Sequence, residues 1–125
     1  MAKKGSAGSR QGRGAWAERR ALGLLRQRGW HLLSRNWRCR WGELDLVVAK
    51  PGRLLLVEVK GRAASSRDGA GVAALDAGKR RRLRRAWSCW LAGHPHLAHL
   101  PVEQVAALVP LPPSRAPVRW IRLGG

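Results

Sequence analysis

The stretch Gly42-Glu43-Leu44-Asp45-Leu46-Val47-Val48-Ala49-Lys50-Pro51-Gly52-Arg53-Leu54-Leu55-Leu56-Val57-Glu58-Val59-Lys60-Gly61-Arg62 decides how this chain folds. Two runs rich in leucine and valine flank a Pro-Gly pair, which predicts a strand, a turn and a second strand. Proline presets φ at the first turn position and glycine accepts a positive φ at the next. With Pro51 and Gly52 as the central turn residues, Lys50 faces Arg53, Asp45 lies opposite Glu58, and Glu43 lies opposite Lys60. Two-residue hairpins favour mirror-image turns, so a longer loop around Pro51 that keeps this pairing satisfies the sequence as well.

Side chains alternate across a strand, so Glu43, Asp45, Glu58 and Lys60 fall on one face with Val47, Ala49, Leu54 and Leu56. Leu44, Leu46, Val48, Leu55, Val57 and Val59 fall on the other. Opposed carboxylates have Cβ atoms about 4.5–5.5 Å apart and repel, which a hairpin apolar on both faces tolerates poorly unless a cation sits between them. Lys60 is near, but a divalent ion fits better. Hard oxygen ligands suit magnesium or manganese, and no Cys/His cluster competes. Taken singly, Glu43 reads equally well as an exposed strand start, and Glu58 with Lys60 as a solvated pair at a strand end. It is Asp45 facing Glu58 among hydrophobic neighbours that points to a functional site.

The whole chain narrows the chemistry further. Its 125 residues make room for one domain with a real core. Lys and Arg number 25 against 7 Asp and Glu, for a formal charge of +18. A polyanion is the expected partner, nucleic acid before membrane. A GC-rich genome accounts for arginine outnumbering lysine, but not for the scarcity of acids. No run of 18 apolar residues spans a membrane and no apolar segment follows the basic N-terminus, so a cytoplasmic location is expected. Cys39 and Cys89 lack disulfide-framework or zinc spacing and read as reduced thiols.

Along the chain, residues 1–13 are small, polar and basic, and are expected to form a disordered tail before a single domain over 14–125. Ala17, Ala21, Leu22, Leu24 and Leu25 predict a helix from about Ala15 to Arg28, stopped by Gly29. Glu18 borders its buried stripe, with Arg26 as the ordinary ion-pair partner on the same helix. Trp30 to Arg40 predicts the first strand. Gly61 to Gly78 reads as a loop with a short helical turn near Val72–Leu75, and its Arg62 and Arg67 are placed for substrate contact.

A second helix is predicted from Lys79 to about Leu91, with Leu83, Ala86, Trp87, Trp90 and Leu91 as its apolar stripe. Lys79 falls on the inward side, for a functional contact or as a snorkelling side chain. Arg80, Arg81, Arg82, Arg84 and Arg85 project outward and sideways, and with no glutamate nearby to pair them they form a candidate phosphate-backbone surface. His94, His96 and His99 surround Pro95 and read as a flexible connection rather than a metal site. Most of the seven tryptophans read as packing residues, although Trp37 and Trp41 precede the acidic strand where a base could stack. Val102–Val109 and Val118–Leu123 predict two last strands, separated by prolines.

Gly-Glu-Leu-Asp-Leu at 42–46 followed by Val-Glu-Val-Lys-Gly-Arg at 57–62 resembles the signature of the YraN family, bacterial proteins grouped with the PD-(D/E)XK nucleases. Gly14, Glu18, Ala21, Gly29, Arg35, Asn36, Arg38, Lys79 and Leu91 fall in the family's order, so the resemblance covers about residues 14–92. It implies a restriction-endonuclease-like α/β core, order α-β-β-β-α-β, with a mixed sheet flanked by helices. It further implies that Asp45 and Glu58 hold Mg²⁺ or Mn²⁺ with the Val59 carbonyl, while Lys60 orients or activates the attacking water. Glu18 and Glu43 become second-metal or supporting groups. The implied activity is metal-dependent cleavage of DNA, including branched DNA, and symmetric cleavage of two strands would require a homodimer. The alternatives are a non-cleaving nucleic-acid-binding protein of the same fold, acting in DNA processing or uptake, and a ribosome- or RNA-associated protein. One departure is visible: the family's usual Arg and Asp in the penultimate strand have no counterparts in Val102-Glu103-Gln104-Val105.

Overall fold

The computed structural model describes residues 10–62 and 77–123. The elements run α1 (Arg10–Gln27), β1 (His31–Cys39), β2 (Gly42–Lys50), β3 (Arg53–Arg62), α2 (Ala77–Ala92), a 3-10 turn (Pro95–Leu97), β4 (Val102–Pro110) and β5 (Arg119–Arg122). The five strands form one sheet in sequence order. Every neighbouring pair is antiparallel except β3 and β4, which are parallel. A parallel pair needs a long crossover, and α2 lies within it. This mixed sheet flanked by two helices is the restriction-endonuclease-like architecture, with β5 added as an antiparallel edge.

The local signals explain the boundaries. α1 closes in a Schellman arrangement: Trp30 N–H donates to Leu25 O, Gly29 N–H donates to Arg26 O, and Gly29 takes φ +93°. At its other end α1 begins at Arg10, earlier than the apolar stripe implied, so four residues expected in the tail are helical. Arg and Gln are good helix formers, a preference that a search for an apolar stripe does not weigh. Residues 1–9, and the loop 63–76 with Arg67 and the expected turn at Val72–Leu75, lie outside the described residues. The hairpin turn needs no longer loop: Lys50 pairs with Arg53, and Gly52 has φ +84°.

Each face of the sheet carries one helix. Ala17, Ala21, Leu22 and Leu25 of α1 pack on Leu46, Val48, Leu55, Val57, Ala107 and Val109. Leu83, Ala86, Trp87 and Trp90 of α2 pack on Val47, Leu54 and Leu56. Burying a side chain of this size stabilises the fold by about 1.5–3 kcal/mol. Trp90 is fully buried, stacks on Trp87 at 5.1 Å, and donates its indole N–H to Ser34 Oγ at 2.9 Å, which ties α2 to β1.

Strict alternation fails at one place. Leu44, expected on one face with Leu46 and Val48, packs with Val47 under α2. The pleat therefore slips between Leu44 and Leu46, and the residue at the slip is Asp45. Facing it in the β1–β2 register is Asn36, which has φ +51°. Two adjacent strands are thus irregular at the same level. Among the described residues, no helix is long and apolar enough to cross a membrane.

Candidate active site

The β2–β3 ladder runs from Lys50↔Arg53 to Leu46↔Val57 and stops. On either side the sheet continues: β1–β2 pairing reaches Cys39↔Gly42, and β3–β4 pairing reaches Arg62↔Pro110. The sheet therefore forks between β2 and β3. The next pair in the register would be Asp45 with Glu58, then Glu43 with Lys60, so these four residues stand at the fork instead of in a closed ladder.

Side chains take up backbone groups that the ladder leaves. Val59 N–H donates to Asp45 Oδ2 at 2.8 Å, and the backbone N–H of Asp45 donates to the Glu58 carboxylate. In an extended strand a residue's N–H and C=O point the same way. The Val59 carbonyl accordingly faces the fork beside its N–H.

A cavity of about 340 Å³ opens here. Gly42, Glu43, Asp45, Glu58, Val59 and Lys60 line it from the strands, and Lys79, Arg82 and Leu83 line it from α2. Three acids and Lys60 on the sheet thus share the cavity with two cations on the helix. Burial raises the Asp45 carboxyl from 3.8 to about 6, and the charges of Glu18 and Glu43 push the same way against the Val59 hydrogen bond and Lys60. Burial raises Glu58 from 4.5 to about 8, reinforced by Asp45 and opposed by the Asp45 N–H, Lys79 and Lys60. Lys60 is lowered, chiefly by its hydrogen bond with Lys79 and by burial.

The donor set can be tested against a metal ion. Glu58 Oε2 is buried and accepts no hydrogen bond. A buried anionic oxygen in that condition is costly unless a cation or proton meets it. The available donors, two carboxylates and the Val59 carbonyl, are all hard oxygens. Among the described residues no three His, Cys, Asp or Glu side chains stand close enough together to hold a metal ion between them. Such a set is too small for a closed protein cage, but it suits an ion that keeps waters or substrate oxygens for its remaining positions, as Mg²⁺ does.

Glu18 and Glu43 are engaged elsewhere. Glu18, only 9% exposed, accepts from Asn36 Nδ2 at 3.1 Å and from Arg35 Nε at 3.3 Å. Its partners are on β1, not at Arg26 of its own helix. It acts on Asp45 through its charge and does not line the cavity. Glu43 lines the cavity and pairs with Arg38 at 3.4 Å.

The arginines divide. Arg82, grouped at first with the outward-facing side chains, lines the cavity. Its signal was its position three residues after Lys79, which places both on one helix face. Arg80 and Arg84 border a second cavity of about 380 Å³ with Arg122, Glu103 and Gln104, and Leu83 lines both cavities. Arg62 ends β3, Arg81 is exposed, and the Arg85 guanidinium lies 4.8 Å from the Trp41 ring centre. His94 stacks on the Trp90 ring at 3.8 Å, which explains a histidine in this connection without a metal.

The sequence profile described as "Uncharacterised protein family UPF0102" matches residues 17–110, a span that contains both carboxylates and Lys79. A UPF0102 protein of Prochlorococcus marinus (strain MIT 9303) is 55% identical over 111 residues, covering 89% of this chain and 88% of the relative. One from Synechococcus sp. (strain CC9902) is 52% identical over 107 residues, covering 86% and 88%. One from Gloeobacter violaceus is 47% identical over 99 residues, covering 79% and 75%. With matches of this length and identity, the chain belongs to the UPF0102 family, the YraN family whose signature its two central strands carry.

Proposed function

We propose that the protein is a metal-dependent endonuclease that hydrolyses DNA phosphodiester bonds, with branched DNA among its substrates. One observation carries this: two half-buried, mutually repelling carboxylates, one with a buried and unpartnered oxygen, share a cavity with Lys60, Lys79 and Arg82 in a chain of charge +18. Asp45, Glu58 and the Val59 carbonyl would hold Mg²⁺ or Mn²⁺. When bound, such an ion lowers the pKa of an attacking water and neutralises phosphate charge. Lys60, beside the acids and with its proton loosened by Lys79, is placed to orient that water and exchange a proton at Nζ. Lys79 and Arg82, on the opposite wall, are placed to hold the scissile phosphate and stabilise its developing charge. The arginines of α2 supply the longer-range attraction to the backbone.

The test is a panel of labelled linear, flapped and four-way DNAs incubated with Mn²⁺. Wild type should cut at least one of them, and Asp45→Asn should abolish cutting while binding stays intact or tightens. Cleavage at the wild-type rate by the variant would overturn the assignment. A non-cleaving binder of the same fold is favoured by one feature, that Glu18 and Glu43 are already held by Arg35, Asn36 and Arg38. Thermal melting separates the two: Mn²⁺ at 100-fold its Kd stabilises an enzyme by about 2.7 kcal/mol, an effect lost in Asp45→Asn, and leaves a pure binder unchanged.

A further inference from the structure

We propose that Trp41 is a stacking platform for an unpaired nucleobase at the rim of the carboxylate cavity, so that the protein prefers single-stranded or distorted nucleic acid to intact duplex. This deepens the nucleic-acid reading above and rests on it.

Trp41 stands in the two-residue connection between β1 and β2, next to Gly42 and Glu43, which line the cavity. It is 37% exposed, whereas Trp90 and Trp87 of α2 are buried. The guanidinium carbons of Arg40 and Arg85 each lie 4.8 Å from its ring centre. Arg85 follows Arg82, a cavity residue, by three positions on α2, so the ring meets the helix one turn beyond the site. Trp41 is also held in place from below. Its backbone N–H donates to Cys39 Sγ at 3.4 Å, and Cys39 lies in turn against Cys89 of α2.

A flat, partly open indole anchored at a turn, with two guanidinium groups against it, combines the two elements that bind single strands. A base can stack on the ring in place of one of the guanidinium groups that lie over it, and the displaced arginine then offers donors to the adjoining phosphate. In an intact duplex the bases are already stacked on their neighbours and cannot reach it. Near the cavity only an extruded, frayed or branch-point base can use this surface. The ring thereby selects the strand whose phosphate enters the fork.

The test is equilibrium binding in EDTA, so that cleavage plays no part, using labelled single-stranded DNA, single-stranded RNA and duplex DNA of equal length with the full chain. Trp41→Ala should weaken single-strand binding at least about fivefold and change duplex binding by less than about twofold, since stacking one base on an aromatic ring is worth that much or more. Trp41→Phe should recover most of the loss. Trp41→Leu, which keeps apolar bulk without a flat face, should not, and it remains informative if the alanine variant folds poorly. Stronger binding of RNA than DNA, with the same dependence on Trp41, would support the platform and name RNA as the source of the base. Equal weakening of single strand and duplex, or no change, overturns the platform and leaves the endonuclease reading standing. A wild-type protein that binds no nucleic acid overturns both.

Discussion

Replacing Glu58 by glutamine should make the metal-free protein more stable at pH 8 and flatten its pH dependence. The folded Glu58 carboxyl has a pKa of about 8 against 4.5 for the free side chain, because it is buried beside Asp45. For an acid raised in this way, the native state holds more protons than the unfolded chain between those two values. Stability is therefore fully present below pH 4.5 and falls as pH rises towards 8. At about 1.4 kcal/mol for each tenfold change in proton activity, the ceiling on that loss is about 5 kcal/mol. Part of it is repulsion from Asp45, and a glutamine amide brings an N–H group of its own that must find an acceptor, at a cost of about 1–2 kcal/mol. The net gain expected at pH 8 is about 1–3 kcal/mol, a rise in Tm of roughly 3–12 °C for a domain of this size.

The assay is thermal or urea unfolding in EDTA at intervals from pH 5 to pH 8. At pH 5 the two proteins should be nearly equal, because wild-type Glu58 is then protonated and almost isosteric with glutamine. The curves should separate progressively from about pH 5 upward, wild type falling and the variant staying nearly level. Asp45, raised from 3.8 to about 6, adds a smaller slope of the same sign at lower pH. A variant less stable than wild type at pH 8, or one that keeps the full wild-type slope between pH 6 and pH 8, would show that Glu58 is not the buried unpartnered charge described here.

Arg35→Ala should destabilise the fold by about 1–3 kcal/mol, because it removes the cation paired with a Glu18 carboxylate that is only 9% exposed and leaves the neutral Asn36 amide donating to it. Adding Glu18→Gln should recover part of that loss in a double-mutant cycle measured by urea unfolding, and simple additivity would count against the pair. Lys60→Met should lower the rate of metal-dependent cleavage by roughly 10²–10³-fold, in the range found when one preorganised charge is removed from a transition state. Stabilisation by Mn²⁺ should persist in that variant, and its loss in melting experiments would make Lys60 a structural member of the metal site.

The register of the central hairpin could be read from sequence because Pro51-Gly52 fixes it at one end, and everything from Lys50↔Arg53 to Leu46↔Val57 follows. What no local pattern announces is where a ladder stops. Alternation assumes an unbroken pleat and so puts Leu44 on one face with Leu46 and Val48, although it packs under α2, one residue beyond the slip at Asp45. Glu18 was legible as a border residue of α1, but its partners Arg35 and Asn36 come from a strand, and only the docking of α1 on the sheet brings them together. Arg82 was hidden by its neighbours. In a run of five arginines, charge says nothing about which one turns inward, and the deciding fact is its phase relative to Lys79 and Leu83.

The fork explains why two acids can stand here without unfolding the sheet, and what the cavity attracts. Had the ladder closed, Asp45 and Glu58 would sit directly opposed with their backbone groups committed to pairing. Because it opens, each carboxyl accepts one backbone N–H, Asp45 from Val59 and Glu58 from Asp45, while burial raises both, Asp45 to about 6 and Glu58 to about 8. Both carboxyls therefore hold a proton more firmly than free side chains do. They share the cavity with Lys60, Lys79 and Arg82, while Glu43 is paired with Arg38. Those cationic side chains suit the cavity to a phosphate as well as to a metal ion. A phosphate seated against Lys79 and Arg82 would offset those charges and hold the Glu58 proton more firmly, so it would take a cation to displace that proton. Nucleic-acid binding in EDTA, or in Asp45→Asn, is thus a consequence of the same geometry that supports cleavage, and its persistence in either case does not argue for a protein that only binds.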